Sequence, residues 1–102
     1  MALNELEKRS LKQALVDCLR TEKEVRRIVV FGSFLRSDDP QDMDVAVFQD
    51  GSEAYLPLAL KYRRKTRPIA RRIALDILPL KMDAQSDPFL AEVERGEVIY
   101  ER

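Results

Sequence analysis

Asp42-Met43-Asp44 sets two carboxylates one residue apart, and Asp76 follows as an isolated acid within the apolar run IALDILPL. Side chains of an extended segment alternate faces with period two. Asp42 and Asp44 therefore project from one face, while Met43, Val45 and Val47 take the opposite one and can enter a core. Aspartate is disfavoured in strands, and like charges at this spacing repel unless a cation neutralises them. The competing reading is an exposed strand face carrying ordinary solvated acids. The direct continuation into Val45-Ala46-Val47-Phe48 argues for the cation. Mg²⁺ suits such a pair, because it takes a few carboxylates together with waters and substrate phosphates.

A lone charge among apolar residues is rarely buried without a partner. Asp76 either pairs with an arginine, for which Arg71 and Arg72 are near in sequence, or completes a metal site. Upstream, the run Arg27-Ile28-Val29-Val30-Phe31 ends at Gly32-Ser33. Glycine lets the backbone approach a ligand closely, and free amides with the Ser33 hydroxyl could hold phosphate oxygens if a helix starts at once. Alone, Gly-Ser after a strand is more often only a turn. Taken together, a phosphate-binding turn, two same-face aspartates and a later third one suit two-metal phosphoryl or nucleotidyl transfer. The chain contains no histidine, so acid–base and metal chemistry must run on carboxylates.

These groups need a scaffold of strands. Apolar positions at Leu11, Leu15 and Leu19, with Val16 and Cys18 beside them, predict an amphipathic helix over about 3–19, capped at Asn4. Residues 27–31 read as a buried strand, 37–40 as a loop and 42–48 as a second strand closed by Asp50-Gly51. A helix is expected from Ser52 or Glu53 to about Thr66, with Pro57 in its first turn and Arg67-Pro68 ending it. Residues 72–78 predict a third strand stopped by Pro79. Asp87-Pro88 reads as a cap with proline at the first helical position, opening a helix that stops at Gly96. Residues 98–100 form a short last strand. The expected fold class is α/β, a small mixed β-sheet flanked by helices.

A chain of 102 residues is one domain's worth, with a core that buries about two thirds of its unfolded surface. Hydrophobic residues make up 45% and charged residues 35%, the balance of a globular protein with a charged surface. A thin core leaves apolar helix surface to cover, so a dimer or heteromer is expected. The single cysteine, Cys18, cannot form an internal disulfide, which fits a reducing compartment. No apolar run approaches the ~20 residues that span a bilayer, and the N-terminus lacks a signal-peptide core, so a cytoplasmic protein without a membrane partner is expected. Net charge is zero, which disfavours nucleic acid as a partner. The basic stretch from Lys61 to Arg72 is the exception, with no acid between Glu53 and Asp76. It reads mainly as a solvated helix face whose cations favour the helix C-terminus, with one or two side chains free to reach a ligand. Tyr62 among the arginines is only a faint stacking signal.

Gly32-Ser33-Phe34-Leu35-Arg36, then Asp42-Met43-Asp44, then Asp76, together with the ending FLAEVERGEVIY, resemble the minimal nucleotidyltransferase family of the DNA polymerase beta superfamily. The resemblance covers most of the chain. It implies a nucleotidyltransferase fold of α-β-α-β-α-β-α order and one minimal domain over residues 1–102. It implies that Gly32 and Ser33 bind a nucleoside triphosphate, ATP in the first instance, that Asp42 and Asp44 hold two Mg²⁺ ions, and that Asp76 binds the catalytic metal and helps activate an acceptor hydroxyl. Arg36 matches a basic position of the family, where it contacts phosphates or braces the loop. Minimal family members commonly act as antitoxins beside a HEPN-domain ribonuclease toxin and can transfer AMP to a tyrosine of that toxin. By the same resemblance a HEPN toxin is the implied protein partner, and the acceptor comes from another molecule. A binding module that neutralises its partner by occlusion, without turnover, is the alternative. The chain departs from the family at Ser37, where glycine is usual, and at Gln41, where serine is usual, and its intervening loop is shorter.

Overall fold

The computed structural model describes residues 2–85 and 87–102. Helix α1 spans Glu5–Leu19. Its start is fixed by a reciprocal capping box: the Asn4 side chain accepts from the Glu7 amide at 2.8 Å, and the Glu7 carboxylate accepts from the Asn4 amide at 3.1 Å. Strand β1 (Val25–Phe31) leads through Gly32 into the single turn α2 (Ser33–Arg36). Strand β2 (Asp42–Gln49) is followed by α3 (Tyr55–Lys65) and α4 (Arg67–Ala70), then by β3 (Ala74–Lys81), α5 (Leu90–Glu94) and β4 (Glu97–Glu101). The four strands form one mixed sheet in the order β3-β2-β1-β4. β1 runs antiparallel to both β2 and β4, whereas β2 and β3 are parallel. The α/β class and the mixed sheet agree with the sequence reading, β4 takes the place of the short last strand expected at residues 98–100, and α4 is added to the expected order.

Packing explains this layering. One sheet face carries Ile28, Val30, Met43, Val45, Val47 and Ile77, covered by Leu11, Leu15 and Leu19 of α1 and by Leu58, Tyr62 and Ile69 of α3 and α4. On the opposite face Val29, Phe31, Ala46, Phe48 and Leu80 meet Val93 of the short α5. That second layer is small, so part of this face stays open. At Gly96 an added Cβ would lie 2.5 Å from the Val30 carbonyl oxygen, so the turn between α5 and β4 presses directly on β1.

Three boundaries differ from expectation, each for a local reason. Pro79 does not end the third strand but sits within β3, opposite Val47. A strand at the sheet edge tolerates a residue with no N–H to donate. The helix expected from residue 52 begins at Tyr55, and it does not end at Arg67-Pro68: after a break at Thr66 the chain re-enters a helical turn, α4. The buried Thr66 hydroxyl donates to the Tyr62 carbonyl at 2.7 Å, and Pro68 fits the first turn of α4, where no amide donor is required. Asp87-Pro88 does not open the last helix. Its carboxylate accepts from the Phe89 amide at 2.8 Å in a turn, and α5 starts only at Leu90.

Tyr62 is no stacking surface. Its ring is fully buried, and its hydroxyl donates to Glu24 at 2.9 Å. Beside it Lys61 bridges Glu22, Glu24 and Glu53 at 3.1, 2.9 and 2.8 Å, and Lys65 joins Glu22 at 2.9 Å. Hydrogen bonding from Lys65 holds the Glu22 carboxyl below its ordinary range, with Lys61 adding to it. Burial pushes Glu24 up, but the hydrogen bonds from Lys61, its own backbone and Tyr62 outweigh this and hold it low as well. Carboxyls with lowered folded-state pKa stabilise above their unfolded value of ~4.3 and lose that contribution as pH falls through the folded value. Replacing Lys61 with methionine is expected to destabilise the fold by about 1–2 kcal/mol, between the exposed and buried limits for an ion pair. Chemical denaturation of Lys61→Met between pH 7 and about pH 4 should also show a flatter loss of stability than the wild type.

Candidate active site

Parallel pairing of β2 with β3 sets Asp42 opposite Ala74 and Asp44 opposite Asp76. Residues in register on adjacent strands share a face, so the three carboxylates converge. One oxygen from each of Asp42, Asp44 and Asp76 lies within 4.8 Å of the others. The same face continues inward as Ala46 and Phe48 under α5, and the acids occupy its uncovered end. Among the described residues, neither Arg71 nor Arg72 forms an ion pair with Asp76.

The Gly32 turn closes against this cluster. Gly32 adopts φ +80°, a conformation that side chains disfavour, and a Cβ there would stand 2.7 Å from Asp44 Oδ2. Both strain and space therefore require glycine. Ser33 follows at the start of α2, exposed to solvent. Arg36 turns away to α5, where its guanidinium meets Glu92 at 3.6 Å. Of the two roles open to Arg36, this contact is the bracing one.

Two anchors that sequence reasoning missed hold the turn. Phe34 is fully buried in the core beneath α2. Lys8 is buried too, donating to the Ser37 carbonyl at 2.7 Å with its ammonium 5.6 Å from the Phe34 ring centroid. Its position three residues before Leu11, on the apolar stripe of α1, was the available signal. Ser37 itself is extended at φ −99°, which any residue adopts, so the glycine usual in the resembled family is not needed. A pocket of about 230 Å³ beside Asp44 and Asp76 is walled by Phe31, Leu78 and Phe89. In the sequence Phe89 falls within the expected last helix, with no local sign of a place beside the carboxylates.

The Asp44 carboxyl is held above the usual aspartate range. Burial is the largest cause, followed by the negative charges of Asp42 and Asp76 and a hydrogen bond with Asp76. A raised folded-state pKa means the native state holds this proton more tightly than the unfolded chain does. Asp44 therefore opposes folding at neutral pH, and the penalty disappears as pH falls below the unfolded value of ~3.9. The arrangement can hold a divalent cation through hard oxygen donors, which would relieve this repulsion. In metal-free buffer Asp44→Asn should raise thermal stability at pH 7 by roughly 0.2–1 kcal/mol, the scale of one like-charge contact, and the gain should vanish near pH 3. Gly32→Ala should lower stability by about 1–3 kcal/mol in the same melts, the scale of a strained backbone position.

Residues 13–102 match the family model described as polymerase beta, nucleotidyltransferase. No curated protein matches the chain significantly. Among solved structures, a chain from the complex of tri-AMPylated Shewanella oneidensis HEPN toxin with MNT antitoxin is similar at a TM-score of 0.63 and 15% identity, over 93% of this chain and 73% of that one. The toxin–antitoxin pair MntA–HepT supplies another, at 0.61 and 14%, over 92% and 73%. A mutant of that pair with two Asp-to-Glu substitutions gives 0.64 and 14%, over 89% and 73%. At such identities these likenesses speak for the fold, which is the one built above from strands and carboxylates. With the family model spanning all but the first turns of α1, the chain belongs to the polymerase beta nucleotidyltransferase family.

Proposed function

We propose that residues 1–102 act as one minimal nucleotidyltransferase domain that moves AMP from Mg²⁺–ATP to a hydroxyl of a partner protein, as the antitoxin of a HEPN ribonuclease toxin in the cytoplasm. The observation that carries the catalytic part is the convergence of Asp42, Asp44 and Asp76 within 4.8 Å beside a turn that only glycine can form. Support for the partner comes from the similar solved complexes, one of which holds an AMPylated HEPN toxin.

The donor set fits Mg²⁺: three carboxylates and, among the described residues, no nitrogen or sulfur ligand at the cluster. Asp42 and Asp44 would hold two ions, and Asp76 the one on the acceptor side. When bound, the metal supplies positive charge that neutralises the triphosphate and acidifies the acceptor hydroxyl. The chain's own groups do the rest. The Gly32 backbone and the Ser33 hydroxyl bind phosphate oxygens, with the turn braced by Lys8 and by the Arg36–Glu92 pair. Asp76, exposed at the sheet edge, orients the acceptor hydroxyl and receives its proton. The acceptor oxygen bonds to the α-phosphorus as the bond from that phosphorus to the bridging oxygen breaks, and pyrophosphate leaves.

Calorimetry with ATP and the other triphosphates, with Mg²⁺ and with chelator, tests this reading. Binding should require Mg²⁺ and be lost in Asp44→Asn. With labelled ATP and a HEPN acceptor, Asp42→Asn and Asp76→Asn should each slow transfer by on the order of 10²–10³-fold, the scale of losing one electrostatic stabiliser. Absence of binding by any triphosphate would leave the occlusion module as the better account.

A further inference from the structure

Seven basic residues lie between Lys61 and Arg72, and the fold treats them in two ways. Lys61 and Lys65 are neutralised by Glu22, Glu24 and Glu53. Arg63, Arg64, Arg67, Arg71 and Arg72 are exposed, and none forms a side-chain hydrogen bond or ion pair with any described residue. In a chain of zero net charge this is a local excess of cations with no partner among the described residues.

Three of these arginines rim a groove. Arg63, Arg64 and Arg67 border a cleft of about 380 Å³ between α3–α4 and the edge strand β3, with Leu60, Ala70, Leu75 and Ile77 as its apolar lining. Leu60 is 45% exposed, and Leu56, one turn earlier on α3, is 62% exposed and extends the apolar line. An aliphatic floor bordered by free guanidinium groups matches an element with the opposite pattern. A nucleic acid would also meet the cations, but bases need aromatic platforms. The one aromatic residue within this basic stretch, Tyr62, is fully buried.

We propose that this groove is a docking site for an acidic amphipathic helix of a partner protein. Its apolar stripe lies on Leu60, Leu75 and Ile77, and its flanking carboxylates reach Arg63, Arg64 and Arg67, which bind them as planar forks. Leu75 and Ile77 are the chain neighbours of Asp76 on β3, and both line the groove. A protein seated in the groove therefore stands across one strand from the carboxylate cluster. Ile77 borders both the groove and the pocket beside Asp44 and Asp76, but the docking surface includes neither the carboxylates nor the Gly32-Ser33 turn and does not depend on transfer chemistry.

Fluorescence anisotropy on the intact chain tests this with a labelled synthetic helix of leucine and glutamate, about 18 residues or five turns long. The wild type should bind it, and Arg63→Glu/Arg64→Glu/Arg67→Glu should bind at least about tenfold more weakly with unchanged circular dichroism. Leu60→Ser, which keeps every charge, should also weaken binding, and Asp44→Asn should leave it unchanged. The proposal is overturned if the helix does not bind, if a leucine–lysine helix of equal length binds as well, or if Leu60→Ser has no effect. It is overturned too if a single-stranded oligonucleotide of about 16 nucleotides competes with the helix and binds more tightly.

Discussion

The parallel pairing of β2 with β3 is the constraint on which the site depends. It places Asp44 directly across from Asp76, with Asp42 one repeat away on the same face. The acids themselves would not choose this arrangement, because three carboxylates within 4.8 Å repel. The opposite faces of the same strands secure it. Met43, Val45, Val47 and Ile77 are buried against α1, α3 and α4, and a slip of one residue would send all of them to solvent. The hydrophobic layer thus holds the acids in register although they oppose one another.

Asymmetry between the two sheet faces follows from the same constraint. Three helices cover one face, and only the five-residue α5 covers the other. Full coverage would bury the acids, which is expensive for unpaired charge. The uncovered end leaves Asp76 exposed and Asp42 and Asp44 half-buried. Around that opening packing fixes where the backbone must be placed: Lys8 and Phe34 anchor α2 from below, and Gly32 brings the main chain against Asp44.

Much of this was legible in the sequence because the signals were local. The alternation through Asp42–Phe48 told both the face of the acids and the face of the core, and Asn4 marked a helix start. Residue types read alone misled where tertiary context decided. Pro79 looked like a stop, yet an edge position made it acceptable in β3. Tyr62 looked exposed among arginines, yet its helical phase turns it inward to Glu24. Arg36 could be read two ways, and only the location of α5 revealed Glu92 as its partner. Contacts between residues far apart in the chain, such as Lys8 with the Ser37 carbonyl, have no local signature beyond a charge on an apolar stripe.

Pro79 has one more consequence. An open sheet has two rims whose unpaired amides and carbonyls can recruit strands from other copies of the chain and seed fibrous aggregates. Here one rim is β3, whose row of donors is interrupted at Pro79. The other is β4, five residues long with Glu97 and Glu101 at its ends. Both rims carry features that discourage stacking between molecules, so the chain can keep an open sheet, and hence an open site, without becoming a template for its own polymerisation.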